Sequence, residues 1–323
     1  MRTAVELGGR NIRQDEAIIE AAWCYFHNSM NQSDIAKRLG VSRASVVNYL
    51  AEARRRGYVR VSLDPNIFRE TALADGLKSK FGLRDVLVVP SDADDGAGSL
   101  ERTVRAASDW LPDLLETGDR LGVAWGETIY RLAEAAPTLS LEDLTIVQLL
   151  GSRPAAMGFA AETCSGTLAR KFGARVVNLH VPLMVSSPDL AQTLCAEPVV
   201  AEQLRAIEDC NKVIFASGTC FEDSHVVQSG LVDAKDLPEL HARGAVGVIC
   251  GRLIDERGAP LQLEGEDCMI GVTLDQMRNK DMGVLVASGI ERAVAAKAAL
   301  LGGYATHFAT CSKTARYLLE ITS

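Results

Sequence analysis

The chain has 323 residues and a formal net charge of −8 at pH 7, with 47% hydrophobic residues but only 5% aromatic ones. This length allows two or three domains and a large core, and the composition is typical of an α/β protein. The polar N-terminal residues and the lack of any apolar run near ~20 residues predict neither a signal peptide nor a membrane span, so we expect a cytoplasmic protein.

The charge is distributed unevenly along the chain. Residues 1–63 contain ten Lys and Arg against six Asp and Glu, a net charge of +4, whereas the other 260 residues carry −12. This difference predicts a basic N-terminal domain on an acidic body.

Two short helices are predicted within residues 31–57. Asn31 can cap the first helix and Gly40 can end it in a left-handed turn, while Ser42 can cap the second helix and Gly57 can stop it. The following residues, 58–63, alternate as a β-strand should. Helix, tight turn, helix and strand predict a winged helix-turn-helix DNA-binding domain over 1–63.

The second helix of this motif is expected to lie in the major groove of double-stranded operator DNA. Four residues face away from its apolar stripe and are candidates for base contacts: Arg43, Ala44, Val47 and Asn48. Others are better placed for phosphates: Lys37, Ser42, Ser45, Arg54, Arg55 and Arg56. The alternative is a capped helical hairpin with a solvated basic end.

The remaining chain predicts a helix at 66–81 within a linker at 64–84, followed by an effector-binding and oligomerisation domain at 85–323. The helix has Phe68, Leu73, Leu77 and Phe81 at its apolar positions. Eight apolar segments alternate with helices, as in a Rossmann-like parallel sheet: 85–90, 120–126, 145–150, 174–179, 212–218, 244–251, 283–289 and 305–310. Residues 91–99 are predicted to form a flexible acidic loop.

Small and hydroxyl residues follow several of these strands, where ligands of such sheets bind. The strongest candidate is the turn at 122–128, because the free N–H groups of the next helix attract a phosphate. Arg292 would supply the positive charge, unless it is only a solvated residue paired with Glu291. The candidate effector-binding residues are Gly122, Trp125, Gly126, Glu127, Thr128, Gly151, Ser152, Gly218, Thr219, Gly289 and Arg292. For a single glycine, a simple βα turn is about as good an explanation.

The sequence predicts no metal site, no cofactor and no catalytic set. Its eight Cys residues have no Cys-x-x-Cys spacing and are expected to be reduced core residues. His180 is the one plausible general base, and Asp223 could orient a sugar hydroxyl, but no acid and base stand at a recognisable spacing. An isomerase or deaminase with a DNA-binding head is the alternative hypothesis, and the lack of such a pair argues against it. A third possibility is a polyol-binding protein whose head contacts another protein.

Nearly the whole chain resembles the SorC family of bacterial sugar-responsive transcriptional regulators. The resemblance rests on the helix-turn-helix, GVAWGETIY (122–130), GAVGVICGRLIDERGAPL (244–261), IGVTLDQMRN (270–279), VASGIERAVAAKAAL (286–300) and the final ATHFATCSKTARYLLEI. It implies an effector domain of the glucosamine-phosphate deaminase and ribose-phosphate isomerase fold, without catalysis. It also implies a homo-oligomer, commonly a tetramer, that binds operator DNA and responds to a phosphorylated sugar or related metabolite.

Three positions depart from the family pattern. Val248 stands where the family often has an acidic residue, and Ser288-Gly-Ile-Glu-Arg292 replaces the usual Gly-Gly-x-x-Lys. Arginine keeps the charge of lysine but presents a planar fork of donors. The segment 149–155 lacks the family's Gly-rich run.

Overall fold

The computed structural model describes residues 14–61, 63–69, 71–91, 96–153, 159–228 and 230–321, with only the backbone of His225. These residues separate into two compact units, Met1–Ser62 and Leu63–Ser323. Within the described ranges, no helix is long and apolar enough to cross a membrane.

The N-terminal unit is helical. Helix α1 covers residues 14–22 and continues as a π-helical turn, Trp23–His27, and it is followed by α2 (Gln32–Leu39) and α3 (Arg43–Arg55). The predicted caps are confirmed: Asn31 accepts hydrogen bonds from the N–H groups of Ser33 and Asp34, and Ser42 accepts one from Ser45. Gly40 makes the turn between the helices with φ 65°, a left-handed conformation that suits glycine.

A small apolar core joins the three helices of this unit. Ile18 of α1, Ile35 of α2 and Val46 of α3 are all fully buried, and the amphipathic pattern of α2 and α3 points their apolar sides at α1. Helix α1 was not predicted from the sequence, although this helix supplies a third of the buried residues of this core. Three helices around a shared core give the unit the helix-turn-helix geometry.

The prediction of a β-strand after α3, which would form the wing, is wrong for the described residues. Residues 58–61 are not in a strand, and Ser62 lies outside the described residues. A β-strand needs a hydrogen-bonding neighbour, and alternation alone does not provide one. Instead, the N–H of Tyr58 donates to the carbonyl of Ala53 at 2.9 Å and closes the end of α3.

The predicted linker helix is two helices, α4 (Asn66–Arg69) and α5 (Ala72–Phe81), which belong to the C-terminal unit. Thr71 has an extended backbone and caps α5, which interrupts the continuous helix that was expected. Leu77 of α5 is buried in the main core, and Lys80 donates to the carbonyls of Leu318, Leu319 and Ile321 at 2.7–3.1 Å. This segment is therefore part of the body.

The C-terminal unit is built on a seven-stranded parallel sheet. Its strands are β1 (Asp85–Val89), β2 (Arg120–Val123), β3 (Thr145–Gln148), β4 (Arg175–Val177), β5 (Lys212–Phe215), β10 (Met282–Val286) and β11 (His307–Cys311). They lie in the order β1-β11-β10-β5-β2-β3-β4. Six of these seven strands are buried along most of their length, as expected for a sheet covered by helices on both faces, and β4 is the exposed edge. The predicted fold class is confirmed.

Helices cover this sheet on both faces. They are α6 (Gly96–Trp110), α7 (Glu127–Ala135), α8 (Ala161–Phe172), α9 (Pro188–Ala196), α10 (Pro198–Glu208), α14 (Ala293–Leu301) and α15 (Ser312–Glu320). Three shorter helices lie in connections: α11 (His225–Gln228), α12 (Leu237–Ala242) and α13 (Leu274–Met277). The predicted loop at 91–99 is wrong from Gly96 onward, where α6 begins, and residues 92–95 lie outside the described residues.

One of the eight predicted parallel strands, and the end of the predicted strand 212–218, belong to a second sheet. Residues 244–251 contain β7 (Gly247–Ile249), which pairs antiparallel with β6 (Ser217–Gly218) and β8 (Arg252–Ile254), and β8 pairs with β9 (Pro260–Leu261). An apolar run such as GAVGVICG indicates a buried strand but does not specify its direction. This small sheet carries its own apolar cluster, which includes Val232, Leu240 and Leu253.

A buried histidine lies where the first and last strands of the large sheet begin. His307 is opposite Asp85 in the parallel register of β1 and β11, and its ring lies 5.7 Å from that of Trp110. Burial lowers the pKa of His307 to about 4, although the carboxylate of Asp85 favours the charged form. His307 is therefore neutral in the folded protein at neutral pH.

This histidine should make the folded state sensitive to mild acid. Between pH 6.5 and 4 the unfolded chain takes up a proton that the native chain does not, so the free energy of unfolding falls as pH falls. Lowering the pH from 7 to 5 should cost about 2 kcal/mol through this group. Urea unfolding of wild type and His307→Gln at both pH values measures it: the variant should lose less stability by that amount, and equal losses would contradict the assignment.

Candidate functional site

The carboxyl ends of three central strands meet at a cavity of about 560 Å³ in the C-terminal unit. Strand β2 leads to β3 on one side, β10 leads to β11 on the other, and β5 lies between β2 and β10. Such a reversal of strand order opens a crevice in which ligands of parallel α/β sheets bind. The lining comes from the segments that follow β2, β5, β6, β7 and β10, together with Phe159.

The β2–α7 turn forms the most polar wall of the cavity. Gly126 precedes α7 with φ 106°, a conformation that favours glycine, and it has no side chain that could cap the helix. The first bond of the helix runs from the N–H of Tyr130 to the carbonyl of Gly126 at 2.9 Å. The N–H groups of the three preceding residues therefore lie outside the helical hydrogen-bond pattern, at the positive end of the helix dipole.

Arg292 reaches this helix terminus from the β10–α14 connection. Its Nη1 donates a hydrogen bond to Oγ1 of Thr128 at 3.2 Å, and Thr128 is buried. Because a guanidinium can only donate, the hydroxyl oxygen accepts, and the hydrogen of Thr128 remains able to donate. Nε of Arg292 lies 3.9 Å from the carboxylate of Glu291. Backbone N–H groups, a hydroxyl and a cation thus surround one point, which is a typical environment for a phosphate or carboxylate.

Seven predicted effector-binding residues line this cavity, and four do not. Those that line it are Trp125, Gly126, Glu127, Thr128, Gly218, Thr219 and Arg292. Gly122 is packed within the sheet, where a Cβ would lie 2.6 Å from Leu149, and Gly151 is packed against the backbone of Pro182. Ser152 donates to Glu162 at 3.1 Å, and the N–H of Gly289 donates to Thr314 at 2.9 Å. These four positions serve packing or local hydrogen bonding.

Several lining residues were not candidates from the sequence. Ser217 and Ser224 are buried, and their hydroxyls have no hydrogen-bond partner among the described residues. Cys250 and Gly251, with φ 49° and 75°, form the two-residue hairpin turn between β7 and β8. Burial raises the pKa of Cys250 to about 12, so this residue presents a neutral thiol. Such residues reach the cavity through the second sheet, which the sequence did not predict.

The residues proposed for catalysis are not brought together. Asp223 lines the cavity, but His180 is exposed and lies in a separate groove beside β4 and α10. All eight Cys residues are free thiols, and the described residues contain no cluster of three or more His, Cys, Asp and Glu that could hold a metal ion. The two side chains considered for an enzyme, a histidine base and a carboxylate that orients the substrate, therefore do not meet around one substrate.

A second polar surface lies on the N-terminal unit, along the outer side of α3. The predicted base-contacting residues Arg43, Ala44, Val47 and Asn48 are all exposed there. Nε of Arg43 donates to Gln32 on α2 at 3.3 Å, which holds the guanidinium near the start of the helix. This face therefore exposes a guanidinium, an amide and small apolar groups, which are the kinds of group that can contact base edges.

The predicted phosphate contacts are less uniform. Lys37, Ser42 and Arg54 are exposed and Ser45 is half-buried, while the guanidinium of Arg54 lies 5.2 Å from the ring centre of Phe26. Arg55 and Arg56 both bind Glu52, and Arg56 also binds Asp15. Hydrogen bonds from these two arginines lower the pKa of Glu52 to about 2. Arg56 thus ties α3 to α1, and its role as a phosphate contact stays a prediction.

Comparison with known proteins places this arrangement in a family. A family model described as a sugar-binding domain matches residues 65–320. The transcriptional regulator YjhU of Escherichia coli K12, itself uncharacterized, is 34% identical over 310 residues, which cover 94% of each chain. The chain belongs to the SorC family of sugar-binding transcriptional regulators.

Two further relatives span the same length. The deoxyribonucleoside regulator of Bacillus subtilis is 28% identical over 304 residues, 94% of this chain and 96% of that protein. The full-length sorbitol operon regulator SorC of Klebsiella pneumoniae has the same fold, with a TM-score of 0.75, 22% identity and coverage of 94% of this chain and 98% of that one. These relatives are named as regulators, not as enzymes.

Proposed function

We propose that this SorC-family protein is a cytoplasmic, DNA-binding repressor of a carbohydrate or polyol catabolic operon. A small phosphorylated sugar or polyol would bind in the cavity and change the affinity of the N-terminal unit for its operator. The observation that carries the proposal is the contact between Arg292 and Thr128 at the start of α7, because it gathers donors around one point in an otherwise acidic body.

The N-terminal unit supports the DNA-binding part of the proposal. Its second motif helix, α3, begins at Arg43 and exposes Ala44, Val47 and Asn48 on one side. The N-terminal residues of a recognition helix are the ones that contact bases in helix-turn-helix proteins. One such unit covers about one half-site, so we also propose a homo-oligomer, a tetramer, whose mass light scattering can determine.

The effector is the part of the proposal that most needs a direct test. A thermal-shift screen should include sugar phosphates, polyol phosphates and their unphosphorylated parents. A ligand that binds only the native state at 100 times its Kd adds about 2.7 kcal/mol of stability, which is enough to raise the unfolding midpoint by several degrees. Only phosphorylated compounds should produce that shift.

The compound with the largest shift is then added to the protein bound to duplex DNA that the wild-type protein has selected from a random pool. Fluorescence anisotropy should report a change in DNA affinity with this compound and none with its unphosphorylated parent. If every phosphorylated compound fails to shift the midpoint at millimolar concentration, the anion site is wrongly assigned.

A further inference from the structure

The lining of the cavity carries more negative charge than positive charge. Among its described residues, Arg292 is the single cation, and the carboxylates are Glu127, Asp223 and Glu291. Glu127 is paired with Arg131 at 2.5 Å, which leaves two carboxylates against one guanidinium. Arg153 lies beside Gly230, outside this lining. The lining therefore offers a cation to one anionic group and none to a second.

Glu291 lies close to the anion site. A Cβ built on Gly289 would fall 2.1 Å from Oε1 of Glu291, so the carboxylate is folded back onto the Gly289 backbone. Gly289 itself has φ 113°, which other residues rarely adopt. The same oxygen lies 3.9 Å from Nε of Arg292. Any second anion near this side of the guanidinium would meet the negative charge of Glu291, whose side chain is 64% exposed.

Neutral groups line another part of the cavity. Ser217 and Ser224, 3% and 6% exposed, have hydroxyls that no other described residue satisfies. A buried hydroxyl without a partner is unfavourable, and hydroxyl groups of a ligand can both donate to it and accept from it. Both serines lie on the segment 217–228, which also contributes Asp223, an acceptor for a sugar hydroxyl.

We propose that the effector has a single anionic group and that the rest of it is a neutral polyhydroxyl chain or ring. Thr128, Arg292 and the start of α7 hold the anionic group, while Ser217 and Ser224 bind hydroxyls. Glu291 and Asp223 repel a second phosphate. This inference depends on the proposed function, since it assumes that the anion binds at Thr128 and Arg292.

The test compares matched pairs of ligands by isothermal titration calorimetry. Suitable pairs are fructose 6-phosphate with fructose 1,6-bisphosphate, glucose 6-phosphate with glucose 1,6-bisphosphate, and ribose 5-phosphate with ribose 1,5-bisphosphate. In the pair that contains the ligand with the lowest Kd, the monophosphate should bind at least ten-fold more tightly than the bisphosphate. The double variant Asp223→Asn/Glu291→Gln should reduce this ratio at least five-fold by improving bisphosphate binding. Glu256→Gln, which removes an exposed carboxylate outside the cavity, should leave the ratio unchanged.

The hydroxyl contacts have a separate readout. Ser217→Ala and Ser224→Ala should each weaken the affinity for the monophosphate several-fold. The affinity for inorganic phosphate, measured by its competition with the monophosphate, should stay unchanged because phosphate alone occupies only the anion site. Loss of both affinities would mean that these serines act on folding or on the anion site, and would overturn their role.

Different experimental results would contradict the single-anion effector and the proposed function. A bisphosphate that binds as tightly as its monophosphate would overturn this inference and leave the proposed function standing. The same holds if the bisphosphate binds more tightly and Arg153→Ala removes its advantage over the monophosphate. An unchanged ratio in the double variant would overturn the role of the two carboxylates. If no phosphorylated compound binds, the anion site of the proposed function fails first, and this inference fails with it.

Discussion

Arg292→Ala is expected to abolish the response of DNA binding to the effector while leaving DNA affinity without effector close to that of wild type. Removing one partner of a buried charge pair weakens binding by about 2–5 kcal/mol, and because Arg292 is 29% exposed we expect the lower end, a loss of about 30-fold. Arg292 is the cation of the described lining and donates to Thr128 at the helix terminus, so little else can replace it. Titration of the phosphorylated compound found by thermal shift, followed by DNA anisotropy, measures the loss.

Thr128→Val provides a nearly isosteric second variant at the same point. Valine keeps the buried volume but removes both the acceptor for Arg292 and the donor for the ligand, so we expect the same direction of change with a smaller loss. Arg257→Ala, at an exposed arginine outside the cavity, is the matched control for lost charge. Unchanged effector midpoints in both Arg292→Ala and Thr128→Val would place the pocket elsewhere.

Arg43→Ala should cost about 1–3 kcal/mol at the operator and relax the preference for one base pair, because arginine reads guanine through two hydrogen bonds. Arg43 is the first residue of α3 and is exposed, and its Nε donates a hydrogen bond to Gln32 at 3.3 Å. Its removal should leave the buried core of the unit intact. Binding to the selected operator and to each single-base variant of it measures the effect.

Lys37→Ala is the matched phosphate variant. Its side chain is 83% exposed and only weakly paired with Asp34 at 3.8 Å, so its charge is available to a phosphate. It should weaken operator and random DNA alike and reduce the slope of log affinity against log salt by about one. If Arg43→Ala also weakened both DNAs equally, Arg43 would be a phosphate contact and the assignment of the reading face would be wrong.

Local signals in the sequence were sufficient for the helix caps and for the turn before α7. Asn31, Gly40 and Ser42 form the predicted turn because capping and left-handed backbone depend on a few adjacent residues. The start of α7 after Gly126 follows from the same chemistry. The parallel sheet was also predictable, since its apolar segments alternate with amphipathic helices.

The features that were missed depend on contacts between distant segments. The direction of β7 is set by its neighbours β6 and β8, and an apolar run carries no information about direction. Nothing in the local sequence distinguishes Ser217 and Ser224 from other serines, and only the second sheet places them in the cavity. The wing was predicted from alternation at 58–63, yet no strand forms over 58–61 because the N-terminal unit offers no described partner strand.

The pairing of β1 with β11 also determines when the protein can fold during its synthesis. Val86 lies opposite Phe308, so the first strand of the sheet waits for a partner made more than two hundred residues later. Contacts that are so distant in sequence make folding slow and leave apolar strands exposed in the meantime. The helical N-terminal unit needs only its own residues and can fold as soon as it leaves the ribosome. A nascent regulator would therefore carry a finished DNA-binding head well before it has a sensor, which makes chaperone capture of β1 and its neighbours an expected step in its production.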